Sequence, residues 1–254
     1  MTSARQIYLG SRRGPALPYD AEVEYLESQT CNTSESAYIL FPPNYSDIGG
    51  IGFYVSSWVS TDYIGANPLG RSNTSEVSNV YSKYSFIAAS NYFVVSGSIS
   101  GNGNWGLSQK HYGELEWDTR ITKLGDRTLI LRKNGSTVFS DERRVTTPFS
   151  MSDGAYFRIN SPQWNNATMA RQRIRRIVMY EYDSMVTDMI PVRFTNELGQ
   201  SEGAMYDRVS GQLFRNSGTG AFGFGTDIAG GGYKCLGYSP LRFSRFSRLW
   251  KEAA

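Results

Sequence analysis

The sequence predicts an all-β protein, an antiparallel β-sandwich of the jelly-roll kind. Three observations carry this. The 254 residues include 17 Tyr, 13 Phe and 26 Gly but only 19% charged residues, a balance that favours strands and turns over helices. At 40% hydrophobic residues, one unit of sandwich size can bury a sizeable core. Short apolar runs recur with turn residues between them, and no helical period appears before residue 240.

The elements follow in order. Residues 1–17 read as an arm: "RQIYLG" is a strand candidate, and "SRRGPALP" is a linker with two Pro and two Arg. "EVEYLES" alternates, which directs Val23, Tyr25 and Leu26 inward. "SAYILFPP" is a short apolar run stopped by two prolines. "GGIGFYVSSWVS" is a strand with Gly at its start, where a bulge or a close backbone approach is expected. "YSFIAAS" and "YFVVSGSIS" are further strands. "GELEWDTRI" alternates strictly. In "RTLILRKNGSTVFSDERR" Asn134-Gly135 joins two strands, because both residues tolerate positive φ. "AYFRIN", "RIRRIVMYEYD" and "IPVRF" are strands, followed by a turn at Leu198-Gly199. "AMYDRVSGQLFRN" is a second hairpin, turning near Ser210-Gly211. This places Ile190, Val192 and Phe194 on one side of the sheet, with Met205, Leu213 and Phe214 capping the core. Gly230 to Gly232 then break the pattern, so the chain divides into an arm (1–17), a sandwich (18–228) and a tail (229–254).

Three stretches of the sandwich resemble a known family. "LPYDAEVEYLES" resembles its first-strand signature, "RIRRIVMYEYDSMVTDMIPVRF" its late strand running into an "IPVR" segment, and "EGAMYDRVSGQLFRNSGTGAF" its closing hairpin. The family is the concanavalin A-like lectin/glucanase, or laminin G-like, modules of bacteriophage and prophage structural proteins from gut bacteria. The arm "IYLGSRR" is similar to those that precede such modules. The chain departs from the pattern after "EYLES", where "QTCNTSESAYILFPP" is longer and carries Cys31. The resemblance implies a non-enzymatic virion protein, as a capsid decoration, head-fibre or tail-fibre component, displaying a lectin-like module that could take a host or mucosal glycan as partner. It would be assembled in the bacterial cytoplasm, with other virion proteins as partners and as a homo-oligomer. Alternatives are a carbohydrate-binding adhesin and a glycoside hydrolase using Glu114 and Glu116.

The residues themselves narrow the chemistry. His111 is the single histidine, which excludes a multi-histidine metal site, and no cofactor or metal is expected. Cys31 and Cys235 form no disulfide framework and read as free thiols. The N-terminus has no apolar core of a signal peptide, so the Asn-x-Ser/Thr triplets at Asn32, Asn44, Asn73, Asn134 and Asn166 read as chance. No run approaches a membrane span, and a net charge of +3 is too small to argue for nucleic acid. "GNGNWG" and "GTGAFG" match a dinucleotide fingerprint, but neither opens a helix. Glu114, Glu116 and Asp118 share one strand face opposite Leu115 and Trp117, which reads first as a solvent face; the spacing also allows a glycosidase-type carboxyl pair, though the order Glu-x-Glu-x-Asp differs from the Glu-x-Asp-x-Glu of glucanases of this fold. Trp105 with Asn104, on a Gly/Asn loop, and Trp164 are candidates for stacking on a sugar. Arg171, Arg173 and Arg175 could bind phosphate or an anionic polysaccharide, or blunt an exposed strand against edge pairing.

The tail carries Arg242, Arg245, Arg248 and Lys251 three apart, interleaved with Phe243, Phe246, Leu249 and Trp250. As a helix it would set a basic stripe beside an aromatic one. A helix this short needs a partner, be it a protein groove, an anionic membrane or nucleic acid; in a virion protein a docking peptide is the economical choice. Arg242, Phe243, Arg245, Phe246, Arg248 and Trp250 are the expected docking residues.

Overall fold

The protein is described by a computed structural model covering residues 17–29, 36–42, 51–60, 67–72, 84–85, 92–95, 104–106, 112–121, 126–144, 156–161 and 171–228. In chain order the strands are β1 (Ala21–Glu22), β2 (Leu26–Ser28), β3 (Ile39–Phe41), β4 (Ile51–Val59), β5 (Asn67–Ser72), β6 (Tyr84–Ser85), β7 (Tyr92–Val95) and β8 (Asn104–Gly106). They continue with β9 (Gly113–Ile121), β10 (Asp126–Lys133), β11 (Ser136–Arg144), β12 (Tyr156–Ser161) and β13 (Gln172–Glu181). The last are β14 (Ser184–Thr195), β15 (Ser201–Asp207), β16 (Gln212–Phe214) and β17 (Gly223–Phe224).

The strands form two antiparallel sheets, the sandwich expected. The large sheet has the order β11-β10-β9-β4-β13-β14-β15-β16, with β1 beside β14, and with β2 between β13 and β17. The small sheet has the order β3-β12-β5-β6-β7-β8. The inward faces meet in one core. Phe53, Val55, Leu115, Trp117, Leu129, Leu131, Ile174, Ile177 and Met179 come from the large sheet, and Ile39, Phe41, Leu69, Phe157 and Ile159 from the small one. Phe157 bridges the layers, stacked on Phe41 at 5.4 Å and edge-on to Phe53 at 5.7 Å. Burial of such rings is the main gain that holds the two sheets together.

β14 explains how a proline fits inside a sheet. Its first half pairs β13 up to Met189, and its second half pairs β1 from Val192. Pro191 lies where one partner hands over to the other. Its carbonyl still accepts from Val23 N–H at 3.1 Å, so the missing donor costs no ladder bond in the middle of a pairing. On the outer face of β14 and β15, Ile190, Val192, Phe194 and Ala204 form a second apolar cluster, covered by Tyr19, Tyr206 and Leu213. Met205 and Phe214 belong to the main core as expected, while Leu213 packs on this second cluster.

Several expectations are corrected. Tyr25 does not point inward: β1 stops at Glu22, the chain bends at Glu24, and the alternation restarts in β2 with Leu26 buried. β13 is no edge strand, since β4 pairs one side and β2 and β14 the other, so its arginines guard no free edge. Asn104 and Trp105 are not in a loop but in β8, an edge strand of the small sheet, with Trp105 opposite Phe93. β5 and the tight Tyr182-Asp183 turn between β13 and β14 escape the sequence pattern. Gly52 does make the close approach expected of it: a Cβ there would come within 2.5 Å of the Thr119 carbonyl oxygen.

The arm before Leu17, Cys31, His111, Trp164, Cys235 and the whole tail, including Arg242, Phe243, Arg245, Phe246, Arg248 and Trp250, lie outside the described residues.

Candidate binding face on the large sheet

The outer face of the large sheet carries a cluster of charged side chains from β2, β9, β13 and their neighbours. Its construction follows from register. Val55 and Val59 point inward on β4, so Tyr54, Ser56 and Trp58 point outward. On β9 the inward residues are Leu115 and Trp117, which leaves Glu114, Glu116 and Asp118 outside, as their spacing predicts. On β13 a bulge between Ile174 and Arg176 shifts the register, so the alternation of Arg171, Arg173 and Arg175 breaks and Arg176 takes the place opposite Ser56.

The strands therefore stack these residues in rows. Glu27, Arg173, Trp58 and Glu114 are direct neighbours across β2, β13, β4 and β9. Arg176, Ser56, Glu116 and Arg132 form the next row. In the first row the Arg173 guanidinium lies over Tyr25 at 4.5 Å and over Trp58 at 5.1 Å, and its Nε donates to Glu27 at 2.5 Å. Arg171 donates to both oxygens of Glu27, at 2.9 and 3.0 Å. Arg175 grips Glu114 with both terminal nitrogens. Further along, Arg176 and Arg208 share the buried carboxylate of Asp188, and Arg120 pairs with Asp118 at 3.0 Å while lying 3.4 Å over the Tyr180 ring. Planar guanidinium groups suit this duty, since they donate bidentately and stack on rings at once.

The carboxylates differ in character. Burial alone would push Glu27 up, but hydrogen bonds from Arg173, Arg171 and Gln29 outweigh it and hold the group below its ordinary value. For Glu116 burial wins and raises its pKa; Arg132 and a hydrogen bond with Tyr54 pull back, and Asp118 adds to the rise. Among the described residues no group of three or more His, Cys, Asp or Glu could hold a metal ion. No described helix is long and apolar enough to cross a membrane.

The sequence singled out Glu114, Glu116, Asp118 and the arginines, and the fold brings them onto one face. It missed Trp58 and Tyr25, whose place beside them depends on pairing between strands distant in sequence. Trp105 lies on the other sheet.

No protein-family model matches the chain, and no curated protein matches it. Among solved structures it is similar to a chain from Bacteroides ovatus ATCC 8483 whose proposed role is carbohydrate binding. The two share 11% identity with a TM-score of 0.46, over 82% of this chain and 61% of that one. The chain thus spans less than two thirds of that structure, and nothing about a ligand passes between them at this similarity.

Proposed function

We propose that this chain is a non-enzymatic carbohydrate-binding sandwich, and that the glycan lies on the outer face of the large sheet. The observation that carries the reading is the row Glu27-Arg173-Trp58-Glu114. A sugar ring offers an apolar face and a rim of hydroxyls. Trp58 and Tyr25 supply flat apolar surface, and the locked carboxylates and guanidiniums supply acceptors and donors beside it. Glu27, Arg173, Trp58 and Glu114 sit on paired strands rather than loops, so they are held before the ligand arrives.

The resemblance in the three quoted stretches supports a narrower reading within this one. The module would belong to the concanavalin A-like, laminin G-like group and stand on a phage or prophage particle. Other virion proteins would hold it there through the basic-aromatic tail, as a homo-oligomer.

A glycan array settles the first proposal. The native protein should bind saturably, Trp58→Ala should weaken binding at least tenfold, and Trp105→Ala and Trp164→Ala should leave it intact. Loss with Trp105→Ala alone would move the site to the edge of the small sheet. No binding by the native protein would end the carbohydrate reading.

One observation favours hydrolysis as a second reading. Glu116 is a half-buried carboxyl of raised pKa with a second carboxyl, Asp118, beside it, and a carboxyl raised by burial is what a general acid needs. Against it, Glu114 and Asp118 are each tied to an arginine. Release of reducing ends by the native protein, abolished in Glu116→Gln, would decide for the enzyme.

A further inference from the structure

β13 is paired on both sides, so Arg171 and Arg173 at its start have no free edge to guard. Both reach the Glu27 carboxylate. Arg171 does so through Nη2 alone, at 2.9 and 3.0 Å, and Arg173 through Nε at 2.5 Å. One negative charge is thus shared between two positive ones, and this end of the outer face keeps a surplus of positive charge. Arg175 differs, because it holds Glu114 one to one with both terminal nitrogens.

The bonds to Glu27 leave N–H groups over. Nη1 of Arg171 and both terminal nitrogens of Arg173 donate to no acceptor among the described residues. The two side chains reach solvent, Arg171 with 41% and Arg173 with 30% of its surface exposed. Their orientation is nevertheless set. Arg173 is held on one edge by Glu27 and lies 4.5 Å over the Tyr25 ring and 5.1 Å over the Trp58 ring. A planar cation fixed on one edge presents its remaining N–H groups in a defined direction. Such a fork matches two oxygens of an oxyanion, and its bonds to a charged acceptor are shorter and stronger than those to a neutral hydroxyl. A neutral sugar would take up the donors and leave the charge unmatched.

We propose that the glycan bound on this face is acidic, and that Arg171 and Arg173 together hold a carboxylate or sulfate group of one of its sugars beside Trp58 and Tyr25. The inference rests on the carbohydrate reading above and adds the class of sugar.

The test measures binding of the full-length protein to two matched pairs of polysaccharides, polygalacturonate with its methyl ester and dextran sulfate with dextran. Within a pair the sugars are the same and the acidic group is present or absent. In at least one pair the acidic member should bind about tenfold more tightly, the worth of one charge-assisted contact. That pair names the group, carboxylate or sulfate. Arg171→Gln and Arg173→Gln should each remove most of the preference. Arg215→Gln should keep it, since Arg215 lies over Phe194, away from Glu27. Added salt should weaken binding of the acidic member more than that of the neutral one. Equal binding within both pairs would overturn the inference and leave the carbohydrate reading standing. So would a preference that both variants retain, or equal losses in Arg171→Gln and Arg215→Gln, because the response would then follow net charge. Binding on the glycan array to sugars without an acidic group, with none to either acidic probe, also overturns this inference alone. No binding to any probe or to the array ends both.

Discussion

Glu27 is one carboxylate serving two guanidiniums, and Glu116 is a carboxyl that burial keeps reluctant to ionise. Their opposite shifts give opposite signs with pH. Glu27 is held below its ordinary 4.5, so its contribution to stability is complete above that value and is lost as pH falls through the depressed one. Glu27→Gln should therefore cost about 1–2 kcal/mol at pH 7, and the gap to the native protein should close in acid. Glu116 is raised, so its contribution is complete below its unfolded value and is lost as pH rises through the folded one. Glu116→Gln should be as stable as the native protein at pH 7 or more so, with the ranking reversing or vanishing at low pH. Urea titrations of the three proteins between pH 3 and pH 8 check both signs. A single slope common to all three would refute the assignment.

Turns are where single elements depend on one side chain. Asp207 ends β15 buried, and its carboxylate accepts from the N–H groups of Asp188, Val209 and Ser210 and from the Ser210 hydroxyl. Gly211 completes the turn at φ 72°, donating to the Asp207 carbonyl at 2.8 Å. Asp207→Ala should cost about 1–3 kcal/mol, because one buried and three part-buried donors lose their acceptor together; chemical denaturation measures it. Two glycines separate by what they touch. A Cβ on Gly203 would meet the end of the Leu26 side chain at 2.6 Å, which can shift, whereas on Gly218 it would meet backbone. Gly218→Ala should therefore destabilise more than Gly203→Ala, by about 1–3 kcal/mol. The same scale shows what the sequence could tell. β9 runs over Gly113–Ile121, the bounds of "GELEWDTRI", because its alternation is unbroken. Asn134 and Gly135 turn the β10–β11 hairpin at φ 50° and 79°, as their chemistry demands. The β13–β14 turn was hidden because Tyr182 takes φ 52°, a conformation rarely given to an aromatic residue. β5 was hidden by Pro68 and Gly70, which read as loop. The bulge after Ile174, and with it the row around Trp58, is set by pairing with β4, and no local pattern encodes a partner over a hundred residues away.

At the scale of the molecule, the sandwich closes on itself at both ends. Near its start, Glu24 N–H donates to the Thr226 carbonyl at 3.1 Å, and Val23 bridges to Asp227. Ile228 N–H donates to the Glu22 carbonyl at 2.8 Å, and Arg193 holds both oxygens of Asp227, with Asp20 nearby. The side-chain hydrogen bond from Arg193 keeps Asp227 below its ordinary pKa, so this clasp stays charged well into acid. The last described residues are thus tied to the first, and every residue of the core cluster lies between them. Cutting the chain after Ala229 should leave the fold and the outer face of the large sheet intact. The shortened protein should melt within a degree or two of the full-length one and bind the same glycans. It should differ in assembly alone: if residues 230–254 dock the module to a particle, full-length protein should self-associate or decorate particles, and the shortened one should run as a monomer. Light scattering and negative-stain microscopy on the two proteins separate these outcomes. A shared monomeric state would remove the tail from the account of attachment, while a large loss of melting temperature would mean that the tail is part of the fold.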